Sequence, residues 1–142
     1  YLTIKKLNLK IIDSSEYYYN AFKLGIPEKD LFNLKNQLFG LEANFEILNA
    51  IDFKKGCFVG QENTARMKLK NKLRRRLLPI SSDKKLSIGD ELTFNDEKIG
   101  KIVIDQPYTF GLIQIRDPDL KEFKDKTLLA NKKECKILKS VK

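Results

Sequence analysis

A chain of 142 residues, 42% of them hydrophobic, can bury one ordinary core or two small ones sharing an interface, and it is too apolar to be disordered. It has no histidine and only two cysteines, Cys57 and Cys135; this excludes a Ser-His-Asp or Cys-His catalytic unit, a disulfide framework and a structural zinc site built from this chain. The formal net charge is +9, and nearly all of it falls in residues 54–76, where nine basic residues face the single acid Glu62 for a net +8.

No apolar run approaches the about 18 residues that a membrane-spanning helix needs. The N-terminus lacks a signal-peptide pattern. A reducing cytosol or organelle matrix is therefore the expected setting. The chain opens on Tyr1 rather than Met, within a strand-like pattern, which points to a fragment or a processed product. Residues 2–4 and 7–12 alternate as strands. Asp13 and Glu16 then have the spacing of a capping box, and Tyr17, Tyr18, Ala21, Phe22 and Leu24 follow at helical spacing. Gly25 suits the left-handed position after the last turn, and Pro27 prevents continuation. These signals predict a helix over 14–24. The tyrosines Tyr17, Tyr18 and Tyr19 fit either a stacking platform or, more simply, the edge of a core with the hydroxyls in water. Residues 29–40 fit either a helical turn or an irregular loop. Phe45, Leu48 and Ile51 form a short helical stripe.

Residues 54–62, Lys-Lys-Gly-Cys-Phe-Val-Gly-Gln-Glu, concentrate the unusual chemistry of the chain. Lysine beside Cys57, and a helix start just beyond it, both favour thiolate over thiol. A buried, inert cysteine is the simpler account. Residues 61–70 are good helix formers behind Gly60. Past Asn71 the period changes to that of strands: 73–80, 91–94, 98–105, 110–116, 126–130 and 134–138, with Asn95-Asp96 as a hairpin turn. Five or six short strands with frequent turn residues predict a small barrel or sandwich.

Five runs together resemble a known family: Leu24-Gly25-Ile26-Pro27-Glu28, Leu41-Glu42-Ala43-Asn44, Ala50-Ile51-Asp52-Phe53, the 55–62 motif with Ala65-Arg66, and Arg75-Arg76-Leu77-Leu78. Their order and spacing are similar to the YgfZ-type folate-binding proteins, relatives of the glycine-cleavage aminomethyltransferase, across roughly residues 22–80. Cys57 stands where true aminomethyltransferases usually carry Asp, which selects the YgfZ branch.

The resemblance implies an α+β fold, with part of a ferredoxin-like aminomethyltransferase-fold lobe over 1–71 and a small C-terminal antiparallel β-barrel over 72–142. It implies an accessory factor that binds tetrahydrofolate or a derivative. Such a factor supports iron–sulfur cluster assembly or repair, and iron–sulfur-dependent tRNA modification, with iron–sulfur clients or assembly proteins as partners. The setting would be the bacterial cytoplasm or the mitochondrial matrix, with the chain a monomer. Cys57 is then the candidate reactive thiol. Glu42 is the candidate acceptor for the N–H edge of a pterin, and Asn44 a second polar contact. Lys55 supplies a charge, Gly56 and Gly60 allow close backbone approach, and Gln61 and Arg66 complete the set. No metal ligand is assigned. Glu62 and Arg66 also stand at i, i+4, where an ordinary ion pair is expected. Two alternatives stay open. One is a folate-dependent aminomethyl or methyl transferase. The other is a basic RNA-binding module using Lys68, Lys70, Lys72, Arg74, Arg75 and Arg76, a strip without interleaved aromatics.

Overall fold

A computed structural model describes residues 11–28, 31–56, 62–70, 73–117, 120–123 and 125–138. The predicted strand over 2–4, most of that over 7–12, and Cys57, Gly60 and Gln61 lie outside the described residues. Ile11 and Ile12, at the end of the second predicted strand, are exposed and carry no strand.

Helix α1 spans Ser14–Lys23. Asp13 caps it, Oδ1 accepting from the Ser15 N–H at 2.6 Å. At its other end Gly25 takes φ 72°. The Ile26 N–H reaches the Ala21 carbonyl and the Gly25 N–H that of Phe22, both at 2.9 Å, a Schellman closure followed by the buried Pro27. A single 3-10 turn, Leu31–Leu34, follows.

Residues 40–49 form a succession of turns rather than the helical stripe that Phe45, Leu48 and Ile51 suggest. The cause is local: Asn44 and Asn49 sit at φ 66° and 56°, and a left-handed residue interrupts a right-handed helix. Helix α2, Glu62–Leu69, follows as predicted, but it buries no residue.

The rest is a closed barrel of six antiparallel strands. They are β1 (Arg75–Ser81), β2 (Glu91–Phe94), β3 (Glu97–Ile104), β4 (Phe110–Gln114), β5 (Leu128–Ala130) and β6 (Lys133–Ile137). The order around the barrel is β1-β4-β3-β2-β5-β6, closed by pairing of Ile80 with Ile137 and Ser81 with Lys136. Both residues of the Asn95-Asp96 turn have positive φ, 50° and 63°, which matches the twist of the strands it joins. Asn131-Lys132 does the same between β5 and β6, a turn that no Asn-Gly or Asp-Gly pair announces. At Gly100 the β3 and β4 backbones approach so closely that a Cβ would lie 2.3 Å from the Leu112 carbonyl oxygen.

Strand alternation sorts the core into two clusters. Leu78, Ile80, Leu92, Ile102, Ile113, Leu128 and Cys135 fill the barrel. Leu77, Val103, Ile104, Phe110 and Leu112 join Phe22 of α1 and Leu34 of the 3-10 turn in a second cluster. This second cluster fixes the N-terminal region against the barrel. The architecture is α+β, with helices preceding a small C-terminal barrel.

Candidate functional site

Strand β1 is where the site begins. β6 covers the edge of β1 only at Ile80 and Ser81, so Leu77 presents a backbone N–H and C=O that no strand satisfies. Residues 42–44 take the place of a strand there. The Leu77 N–H donates to the Glu42 carbonyl at 2.8 Å, and the Leu77 carbonyl accepts from Asn44 Nδ2 at 2.6 Å. Buried backbone groups must find such partners. Asn44 is 1% exposed, and its Oδ1 has no hydrogen-bond partner among the described residues.

The Glu42 side chain continues the seam. It is 4% exposed, and Arg75 of β1 grips both of its oxygens: Nε to Oε1 at 3.0 Å and Nη2 to Oε2 at 3.1 Å. The Phe39 N–H adds a bond to Oε2 at 2.9 Å. A bidentate, charge-assisted pair of this kind is among the stronger polar contacts a protein makes. It also decides what Glu42 can offer. A pterin edge would need the same two oxygens, so the described side chains do not present Glu42 as a free pterin acceptor while Arg75 is in place.

Glu42 and Arg75 lie on the wall of a cleft of about 770 Å³ between the 39–42 turn, α2 and one end of the barrel. Arg74, Lys98, Arg116, Glu97 and Glu122 bring charge to it, and Phe39, Phe94 and Phe123 bring rings. Most of that charge is internally matched. Arg116 pairs with Glu97 at 3.1 Å, and its N–H meets Glu122 at 3.3 Å. Lys98 pairs with Glu91. Arg74 is exposed, with no ion pair among the described residues.

The other expected site residues scatter. Lys55 and Gly56 are exposed in the bends before α2, and a Cβ on Gly56 would meet nothing within 4 Å. Arg66 pairs with Glu62 at 2.7 Å on the open face of α2, the ordinary i, i+4 contact. α2 reaches the cleft through Met67. The structure therefore brings Glu42 and Asn44 together and leaves Lys55, Gly56 and Arg66 at the surface. What the sequence did not show is the pairing of Arg75 with Glu42. Arg75 stood in the basic window, which says nothing about partners. Two acids remote in sequence neutralise part of that window, Glu42 at Arg75 and Glu46 at Lys68.

Cys135 is a barrel residue, 2% exposed, facing the Leu128 carbonyl at 3.6 Å. Burial pushes its thiol up to about 11. Among the described residues no three His, Cys, Asp or Glu side chains gather to hold a metal ion, and no helix is long and apolar enough to cross a membrane.

No protein-family model matches the chain. Curated relatives do. The chain is 45% identical over 65 residues to "Iron-sulfur cluster assembly factor IBA57 homolog, mitochondrial" of Neurospora crassa, covering 46% of this chain and 15% of that protein. It is 36% identical over 81 residues to the Dictyostelium discoideum protein of the same description, covering 56% and 20%. It is 35% identical over 68 residues to "Iron-sulfur cluster assembly factor IBA57, mitochondrial" of Mus musculus, covering 48% and 19%. The matched segments thus span a fifth or less of these relatives.

Proposed function

We propose that the chain serves iron–sulfur cluster assembly, in the mitochondrion, as an accessory factor rather than a turnover enzyme. The observation that carries this reading is the 45% identity over 65 residues to a protein described as an iron–sulfur cluster assembly factor. The order of the Leu41–Asn44, 55–62 and Arg75–Leu78 runs supports it. In this reading Cys57 is the working thiol, two positions past Lys55 in the sequence, and iron–sulfur proteins are the partners.

The finer part of the proposal is the ligand, tetrahydrofolate or a derivative. Arg75 sets its condition, because the fork on Glu42 and a bidentate pterin edge exclude each other. Any folate held with that fork intact must use other groups of the cleft, with the exposed Arg74 the candidate for a carboxylate.

The deciding experiment is complementation. In cells depleted of their own assembly factor, the wild-type chain is expected to restore an iron–sulfur enzyme, and Cys57→Ser to lose that rescue. Full rescue by Cys57→Ser, or none by the wild-type chain, overturns the assignment. Calorimetric titration with tetrahydrofolate, for the wild type and Arg74→Ala, tests the ligand separately.

A further inference from the structure

A second groove lies away from Glu42, between α1 and the loop that leaves β1, with a volume of about 390 Å³. Three rings of an aromatic ladder, Tyr19, Phe22 and Tyr108, line it. Tyr108 stacks on Phe22 with centroids 4.9 Å apart and planes 14° apart, and Phe22 meets Phe110 edge-on at 5.6 Å. At the outer end Tyr19 lies 5.8 Å from Tyr108 and is itself 45% exposed. The buried half of the ladder docks α1 on the barrel. The exposed half is not needed for that.

The 81–86 loop lines it as well and carries Lys84 and Lys85, both exposed and without an ion pair among the described residues. The loop is held in shape from outside the groove. Ser82 Oγ donates to the Glu134 carbonyl at 2.7 Å and accepts from the Lys84 N–H at 3.2 Å, and Lys133 Nζ donates to the Lys85 carbonyl at 2.8 Å. A third cation, Lys23, lies over the Tyr19 ring at 4.1 Å from its centroid and covers that face, so a base can stack there only as the ammonium moves aside. Asp83 and Asp105 line the same groove, so local charge alone gives an anion little reason to choose it. The rings must supply that reason.

We propose that this groove binds single-stranded nucleic acid, stacking a base on the exposed Tyr19–Tyr108 end of the ladder and meeting the flanking phosphates with Lys84, Lys85 and Lys23. Aromatic platforms beside cations are how proteins hold single strands without reading sequence. Lys84, Lys85 and Lys23 outnumber Asp83 and Asp105 there, and the rings decide where the strand rests. The basic strip of residues 68–76 has no such rings within it. This inference stands apart from the assembly role and does not depend on it.

The test is fluorescence anisotropy of a labelled single-stranded oligonucleotide of about 12 nucleotides, titrated with the whole chain over a range of salt. Tyr19→Ala is expected to weaken binding at least about fivefold, and Tyr19→Phe, which keeps the ring, by less than about twofold. The Lys84→Ala, Lys85→Ala double variant is expected to flatten the salt dependence, its slope falling by about 0.7 for each phosphate no longer neutralised. A duplex of the same sequence is expected to bind more weakly, since its bases are not free to stack. Failure to bind at low salt overturns the proposal. So does binding that Tyr19→Ala leaves unchanged, or equal displacement by inorganic polyphosphate, either of which reduces the effect to bare charge. If Tyr19→Ala unfolds the chain, the Tyr19→Phe, lysine and polyphosphate arms still decide.

Discussion

Inside the barrel, Leu78, Leu92, Ile102, Ile113 and Leu128 close on one another with 0 to 1% exposure and no polar group among them. Where residues 42–44 meet β1, the buried groups are a carboxylate, an amide and a row of backbone donors and acceptors. Both places bury their groups, with only the Arg75 guanidinium partly exposed, but the physics differs. The interior is stabilised by area removed from water and depends on volume rather than direction. The seam gains less from burial and more from direction, because a buried polar group is tolerated only where its partner stands.

That contrast can be broken or sharpened by experiment. Ile113→Ala opens the interior and is expected to have the largest effect, about 2–5 kcal/mol of stability, read by urea denaturation. Arg75→Ala leaves Glu42 buried with only the Phe39 N–H. Because the guanidinium is partly exposed, the expected loss is smaller, about 1–3 kcal/mol. Denaturation of the Glu42→Gln, Arg75→Ala double variant checks the cause, since removing the orphaned charge should recover part of the loss. If Arg75→Ala costs as much as Ile113→Ala, the seam is not the weaker joint.

Cys135 reports on the interior by pH. Its thiol is raised in the folded state, so the contribution it makes is complete below its ordinary value of 9.0 and is lost as pH rises toward about 11. Stability should fall across that window in the wild type and fall less in Cys135→Ala. Cys135 should also resist thiol reagents until the barrel opens. The smallest effect belongs to α1. Hydrogen bonds from Ser15 hold the Asp13 carboxyl below its ordinary range. The cap is therefore in place above that range and is lost as the pH falls through the lower, folded value. The Ser15 amide shift in NMR should follow this titration, and Asp13→Ala should abolish it.

Much of the barrel was legible because its signals are local. Short apolar runs bounded by turn residues marked five or six strands, and Asn95-Asp96 marked one hairpin. The Asp13 cap and the Gly25-Ile26-Pro27 exit bounded α1 for the same reason. The 40–49 segment was not legible, because two asparagines in the left-handed region leave the apolar stripe intact while breaking the helix beneath it. Nor was the meaning of the +8 window. Residues 54–76 contain one acid, yet Glu42 and Glu46 come to Arg75 and Lys68 from outside it.

By itself, the sequence determined the strands, the capped helix and the presence of a motif centred on Cys57. These follow from side-chain period, backbone preference and residue identity, which each short stretch carries within itself. Only the tertiary structure decided that the strands close on one another, that Glu42 answers Arg75, and that Tyr19 and Tyr108 stand beside Lys84 and Lys85. Those pairings join residues some 20 to 90 positions apart, and no local rule links one side of such a contact to the other.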